Sequence, residues 1–284
     1  MKIGILQRDD NKIDAEKVFD LFDTMNSMGA QIFIPELIGR FYQKYNGKLF
    51  FVDNDLCKCG LDLIFVFGGD GSIISAVRRY NDIPIIGVNF GTLAYTAELE
   101  ITDKPLIEKL VAGDYYVEER IMLDAKVIRG ESIIPIARPA FNDVVLSNGP
   151  LPHIITFDFS LNGVVAQTYK SDGMIISTPT GSTAYSMSAG GPVVDPSLDC
   201  IVATPICPHS IGQKPTVLSS GFEITIDNIC WRKDYVYLSA DGDEVIDIIP
   251  GDRIVINKSA KKAKIAHVKK THFIRTLNDK MSMN

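Results

Sequence analysis

The sequence lacks an apolar run of membrane length, and the apolar stretch after Met1 is too short for a secretion signal, so a soluble, cytosolic protein is expected. The one long stretch without charge, residues 173–194, is filled with Ser, Thr, Gly and Pro and is no membrane span. Positive charge is also scarce. Against 35 Asp and Glu stand 29 Lys and Arg, a formal net charge of −6, which argues against a nucleic-acid binder. The basic stretch at 258–270 reads as a solvated strand edge. The five cysteines, at 57, 59, 200, 207 and 230, follow no repeating spacing, and the four histidines are scattered. Cys57-x-Cys59 lacks the spacer of a zinc ribbon, so no metal–thiolate site is expected, and free thiols fit a reducing compartment. Neither internal repeats nor low-complexity linkers occur. What is there is a globular composition, 46% hydrophobic and 23% charged over 284 residues, enough for one large or two ordinary domains.

The most informative stretch is residues 61–72, Leu-Asp-Leu-Ile-Phe-Val-Phe-Gly-Gly-Asp-Gly-Ser. The run Leu63–Phe67 predicts a buried strand that ends abruptly in glycines. Gly68, Gly69 and Gly71 are expected to take positive φ and bring backbone amides up to an anion such as phosphate, just before a helix over 72–79. Asp70 is out of place against bare phosphate, since like charges about 4 Å apart repel by roughly 4 kcal/mol at an effective dielectric near 20. Its partner must be a hydroxyl proton, a metal ion or a sugar, which points to phosphoryl transfer.

The two halves of the chain differ in texture. Up to about residue 120, strand signals at 2–6, 31–34, 63–67 and 83–88 alternate with helical spacing at 14–28 and 72–80. That pattern implies βαβ units and a mostly parallel sheet, whose ligands gather at the carboxyl ends of the strands. After that, short alternating runs at 123–128, 141–146, 154–161, 164–168, 174–177, 222–226, 235–239 and 253–256 predict an all-β half of packed sheets. Turn signals such as Asn162-Gly163 and Pro250-Gly251-Asp252 separate them, and a short helical turn is possible near 185–189.

Within the second half, Ser171-Asp172-Gly173 leads to a hydroxyl-rich run, Thr178-Pro-Thr-Gly-Ser-Thr-Ala-Tyr185. Such small side chains add little core volume, so the run reads as a polar ligand wall, with Tyr185 able to lie against a flat ring. Asn142-Asp143 and Ala240-Asp241-Gly242 taken alone are turn-like. Together with Gly68-Gly69-Asp70-Gly71, and in this order, these motifs resemble the bacterial NAD kinase family, which phosphorylates the 2′-hydroxyl of the adenosine ribose of NAD to make NADP. The resemblance spans nearly the whole chain and is most specific at 178–185.

The resemblance implies an N-terminal Rossmann-like α/β domain (1–120) and a β-sandwich-like, NAD-binding domain (121–267), with a tail (about 268–284) returning to the first. It implies NAD in the cleft between the halves and a nucleotide γ-phosphate, with Mg²⁺ or another divalent cation, at Gly68 and Gly69. Asp70 would face the reacting hydroxyl, with Gly71 beside it. Asn142 and Asp143 would hold ribose hydroxyls, although family members usually carry Asn-Glu there. Asp172 would approach the nicotinamide carboxamide, Thr183, Ala184 and Tyr185 would line the wall around the bases, Ser188 and Asp241 would border the pocket, and Phe90 would pack by the adenine. A homo-oligomer, dimer or tetramer, is expected. Two rival readings are weaker. A lipid kinase shares the first loop but wants a basic or amphipathic membrane face, and a non-catalytic dinucleotide sensor has no use for Asp70.

Overall fold

The computed structural model describes residues 1–7, 15–89, 97–149, 153–231, 235–269 and 273–281. The chain divides into two compact units, Met1–Glu119 with Ala263–Asn284, and Arg120–Lys262.

The first unit is built in chain order from β1 (Lys2–Gln7), α1 (Ala15–Ser27), β2 (Gln31–Pro35), α2 (Glu36–Gly39), β3 (Phe50–Val52), β4 (Leu63–Phe67), α3 (Asp70–Arg79), β5 (Ile85–Asn89), β6 (Leu99–Glu100) and α4 (Lys104–Val111). Its strands run parallel in the order β3-β2-β1-β4-β5, with β6 alongside Val88 and Asn89. Each strand of the centre is a short apolar run because it is covered on both faces. Phe65 and Phe67 of β4 join Ile3, Ile5, Phe22, Met25 and Leu110 in a core formed with α1 and α4. Full burial of each such side chain is worth about 1.5–3 kcal/mol. Alternation turns Ile64 and Val66 to the opposite face. Ile73 of α3 comes so close to Gly87 of β5 that a Cβ there would lie 2.4 Å from it. Strand order reverses between β1 and β4, the switch point where open α/β sheets hold their ligands. The loop from β4 to α3 leaves the sheet at that point.

The second unit contains most of β7 (Tyr116–Arg129), then β8 (Ser132–Pro135), β9 (Asp143–Asn148), β10 (Ile155–Leu161), β11 (Val164–Ser171), β12 (Gly173–Ser177), a 3₁₀ turn (Thr180–Thr183), α5 (Tyr185–Ser188), β13 (Cys200–Ile206), β14 (Thr216–Ser219), β15 (Ile224–Cys230), β16 (Val236–Ala240), β17 (Glu244–Ile248) and most of β18 (Arg253–His267). Six strands form an antiparallel sheet in the order β14-β13-β12-β9-β16-β17. A second layer carries β11-β10-β15-β18 with β7 and β8. Val144, Leu146, Met174, Ile176 and Leu238 of the first layer share one buried cluster with Phe157, Phe159, Ile224, Ile226 and Ile254 of the second, which makes this unit a β-sandwich. The end of β18 belongs to the first unit, where Ile265 pairs in parallel with Ile85 of β5, and α6 (Phe273–Met281) follows it.

Several boundaries differ from the sequence expectation. The helix expected from residue 72 begins at Asp70, so Asp70 and Gly71 lie in its first turn with Gly69 as N-cap. Of the three glycines expected at positive φ, Gly68 is there at +148°, whereas Gly69 is at −86° and Gly71 is helical. The residue that needs to be glycine for conformation is therefore Gly68. No helix among the described residues is long and apolar enough to cross a membrane.

Candidate functional site

In the first unit the chemistry gathers at the start of α3. An acid at the first helical position is favoured by the helix dipole, and Asp70 is half-buried there. Built-on Cβ atoms at Gly69 and Gly71 would meet nothing within 4 Å. The space beside both backbones is open, and it adjoins the first-turn amides of α3, the arrangement that takes an anion. Phe90, expected near the adenine, lies outside the described residues, though Asn89 just before it is tied to Glu100 by a 3.0 Å hydrogen bond.

In the second unit a cavity of about 360 Å³ is lined by Asn142, Asp143, Val145, Ser147, Ala184, Tyr185, Ser239, Asp241 and Gly242. That is near the lower end of small-molecule sites, room for part of a dinucleotide. Asp143, Val145 and Ser147 share one face of β9, as residues two apart on a strand must, and Ser239 and Asp241 follow the same rule on β16 and its turn. Val145, Ser147, Ser239 and Gly242 were not among the residues expected from the motifs. The strand alternation counted outward from Asp143 and Asp241 could have found the first three, and Gly242 is the neighbour of Asp241 in its own motif.

The 178–185 run is no open loop. Thr178 anchors its start twice: its N–H donates to the Asn142 carbonyl at 2.8 Å and its hydroxyl to the Phe141 carbonyl at 2.7 Å. Gly181 passes so near that a Cβ would sit 2.1 Å from the Asn142 carbonyl oxygen, which is why only glycine fits. Ser182 is wholly buried and donates to the Pro179 carbonyl at 2.6 Å. These hydroxyls hold the turn together, and the turn presents Ala184 and the half-exposed ring of Tyr185 to the cavity. Thr183 bonds back to the Thr180 carbonyl at 3.2 Å, and Ser188 ends α5, exposed. Neither is among the residues lining the cavity, and neither is Asp172. Asp172 stands just before β12, whose Gly173 pairs with the cavity residue Ser147 while Ser177 pairs with Asp143. The structure thus brings Asn142, Asp143, Ala184, Tyr185 and Asp241 together, with Asp172 toward the other end of the cavity's β9 floor.

Asp143 is 5% exposed. Burial, and after it the negative charge of Asp241, pushes its carboxyl up to about 7. A carboxyl raised by burial and a like charge inside a cavity makes this a candidate binding site. Asp241 instead spends its oxygens within the protein: Oδ2 accepts from the Phe141 N–H at 2.7 Å, and Oδ1 from those of Asn142 and Asp143 at 2.7 and 3.1 Å. These bonds also delay the strand expected from residue 141 until Asp143.

The chain is similar to known proteins over most of its length. The family described as "ATP-NAD kinase C-terminal domain" matches residues 141–268, and "ATP-NAD kinase N-terminal domain" matches residues 48–115. The NAD kinase of Geobacter sulfurreducens is 40% identical over 259 residues, 89% of each chain, and that of Geotalea daltonii 40% over 223 residues, 78% of each. Yeast NADH kinase, solved with NADH, superposes with a TM-score of 0.87 at 23% identity, covering 100% of this chain and 88% of that one. An Archaeoglobus fulgidus NAD kinase solved with ATP gives a TM-score of 0.76 at 23% identity, with 100% of both chains covered. The two structures share the fold. The relatives at 40% identity fix the lineage: this chain belongs to the NAD kinase family and is a kinase enzyme.

Proposed function

We propose that the protein transfers a phosphoryl group from ATP, or another phosphoryl donor, to the 2′-hydroxyl of the adenosine ribose of NAD, giving NADP. The observation that carries this reading is the cavity that sets the Asn142 amide and the raised Asp143 carboxyl beside Ala184 and Tyr185. Vicinal ribose hydroxyls donate to Asp143, and the Asn142 amide supplies both a donor and an acceptor. The Tyr185 ring packs against a base, with Thr183 and Ser188 behind it, and Asp172 receives the nicotinamide carboxamide. Relatives named NAD kinase, the NADH held by the yeast enzyme and the ATP held by the Archaeoglobus enzyme support these substrates.

Asp70 orients the 2′-hydroxyl and accepts its proton. A carboxylate is too weak a base to ionise an alcohol outright, so the proton moves late, as the phosphoryl group crosses a loose transition state. The amides around Gly68, Gly69 and Gly71 hold the donor's phosphates, whose close approach needs the open space beside the last two. Mg²⁺ or another divalent cation, when bound, would neutralise charge on the donor's phosphates beside Gly68 and Gly69.

The protein acts in the cytoplasm as a homo-oligomer. All five cysteines are free thiols, which supports a reducing compartment. Val164 and Val165, 71% and 55% exposed on the edge strand β11, support a subunit contact, and light scattering of the purified protein measures the assembly. Incubating the protein with NAD, ATP and Mg²⁺ tests the reaction itself. NADP phosphorylated on the 2′-oxygen is the expected product, and ATP turnover without it sinks the proposal.

A further inference from the structure

We propose that Asp241 is a positioning residue: its carboxylate, gathered by the amides of residues 141–143, aims Asn142 and Asp143 into the cavity and lays a fixed negative charge against Asp143. The inference rests on the assignment of that cavity to the ribose hydroxyls of NAD.

The backbone makes the arrangement possible. Asp241 adopts φ +52° and Gly242 φ +70°, so the chain leaves β16 in a tight left-handed turn. The Asp241 N–H donates to the Asp143 carbonyl at 3.0 Å, and the side chain reaches back to the three amides. From the other side, the Asn142 carbonyl accepts from the Thr178 N–H at 2.8 Å and the Ser177 hydroxyl at 3.2 Å. Both backbone groups of Asn142 are therefore fixed, by two different turns, and the direction of its side chain is fixed with them. Asp241 already accepts at both carboxylate oxygens. No donor among the described residues offsets the charge of Asp143, whose carboxyl lines the cavity.

Among the described residues, the elements packed on Asp143 bring one charged group to it. The turn after β16 supplies Asp241, β12 and the residue after it supply the uncharged Ser177 and Thr178, and α5 supplies the Tyr185 phenol. Burial and that one charge hold the Asp143 carboxyl near 7. A carboxylate accepts the vicinal ribose hydroxyls at both oxygens, whereas the protonated acid keeps one good acceptor and turns its own O–H to the ligand, so NAD favours the ionised form and its binding releases a proton wherever the free protein holds one.

The test compares NAD KM and kcat across pH in the wild type, Asp241→Asn and Asp143→Asn, with ATP and Mg²⁺ saturating. For the wild type, KM is expected to climb about tenfold per pH unit below about pH 7. Asp143→Asn abolishes that break. Asp241→Asn keeps an oxygen for the Asn142 and Asp143 N–H groups, and loses the charge and the acceptor for the Phe141 N–H. Its break therefore moves at least about one unit toward acid, with KM raised about tenfold on the alkaline side and kcat within about threefold. A merely structural role leaves the break where it was. Because a variant can fail to fold, the wild type is also titrated with NAD in two buffers of different ionisation enthalpy near about pH 6.5. Release of a fraction of a proton per NAD, fading in alkali, is expected. An unmoved break, a kcat loss matching the KM change, or binding without proton release overturns the role of Asp241 while NADP formation stands. Absence of NADP from the wild type overturns the cavity assignment beneath it.

Discussion

Glu98 in the first unit and Asp143 in the second are both withdrawn carboxyls, and they reach opposite states. Burial alone would push Glu98 up, but the His267 ring at 2.5 Å and the N–H groups of Lys269 and Val268 at 2.6 and 2.7 Å outweigh it. Its carboxyl ends below the ordinary range. Asp143 has no such donors among the described residues, and burial with the Asp241 charge carries it to about 7. The contrast separates an acid satisfied within the fold from one whose carboxyl faces a cavity. What distinguishes them is the supply of N–H groups around each, more than the depth of burial.

A third acid gives the largest test of that contrast. Asp70 stands half-buried at a helix start, where the helix dipole favours a negative charge. Asp70→Asn is expected to lower kcat by about 10²–10⁴-fold with NAD KM within about threefold, measured by NADP formation. Retention of more than about a tenth of wild-type kcat would remove Asp70 from proton transfer.

Asp143 and Glu98 then pull stability in opposite directions with pH. A raised acid binds its proton more tightly in the folded state. The stability that Asp143 contributes is complete below the unfolded value near 3.8 and lost as pH rises to about 7, a span worth on the order of 4 kcal/mol. The difference in urea-unfolding free energy between wild type and Asp143→Asn should trace that loss, and a flat difference would break the comparison. Glu98 is depressed, so its contribution is present above the ordinary Glu value and fades as pH falls. Glu98→Gln should cost about 2 kcal/mol at neutral pH and much less in acid. The smallest effect concerns the loop itself. Gly68→Ala, forced into φ +148°, should lose about 1 kcal/mol of stability in a thermal melt. Gly69→Ala, at φ −86°, should melt like wild type yet bind ATP less tightly because its methyl fills the open space.

The sequence showed most of what depends on local pattern and little of what depends on contact. Leu63–Phe67 was legible to the residue because an apolar run between a polar residue and a glycine has one reading. The start of α3 was misread because Asp70 and Gly71 have the chemistry of a turn, and only the sheet above them makes a first helical turn worth forming. α4 went unread although Pro105 in its first turn was a usable signal. β13, Cys200–Ile206, was hidden by Pro205, which the strand tolerates because β14 pairs only with Cys200–Ala203 and leaves Pro205 beside β12 alone. At the site, Asn142 and Asp143 could be singled out by type. The reach of Asp241 across to three amides 98 to 100 residues away could not, because it is a property of two turns meeting.

The first unit is assembled from both ends of the chain, Met1–Glu119 and Ala263–Asn284. On a ribosome, the sandwich can therefore finish before the sheet that precedes it in the message. Until Ile265 emerges to lie along Ile85, and His267 and Lys269 arrive to meet Glu98, the nascent sheet keeps an open flank and Glu98 stays a buried acid without its donors. A stop codon shortly after residue 262 would spare the later-made sandwich and cripple the earlier-made half.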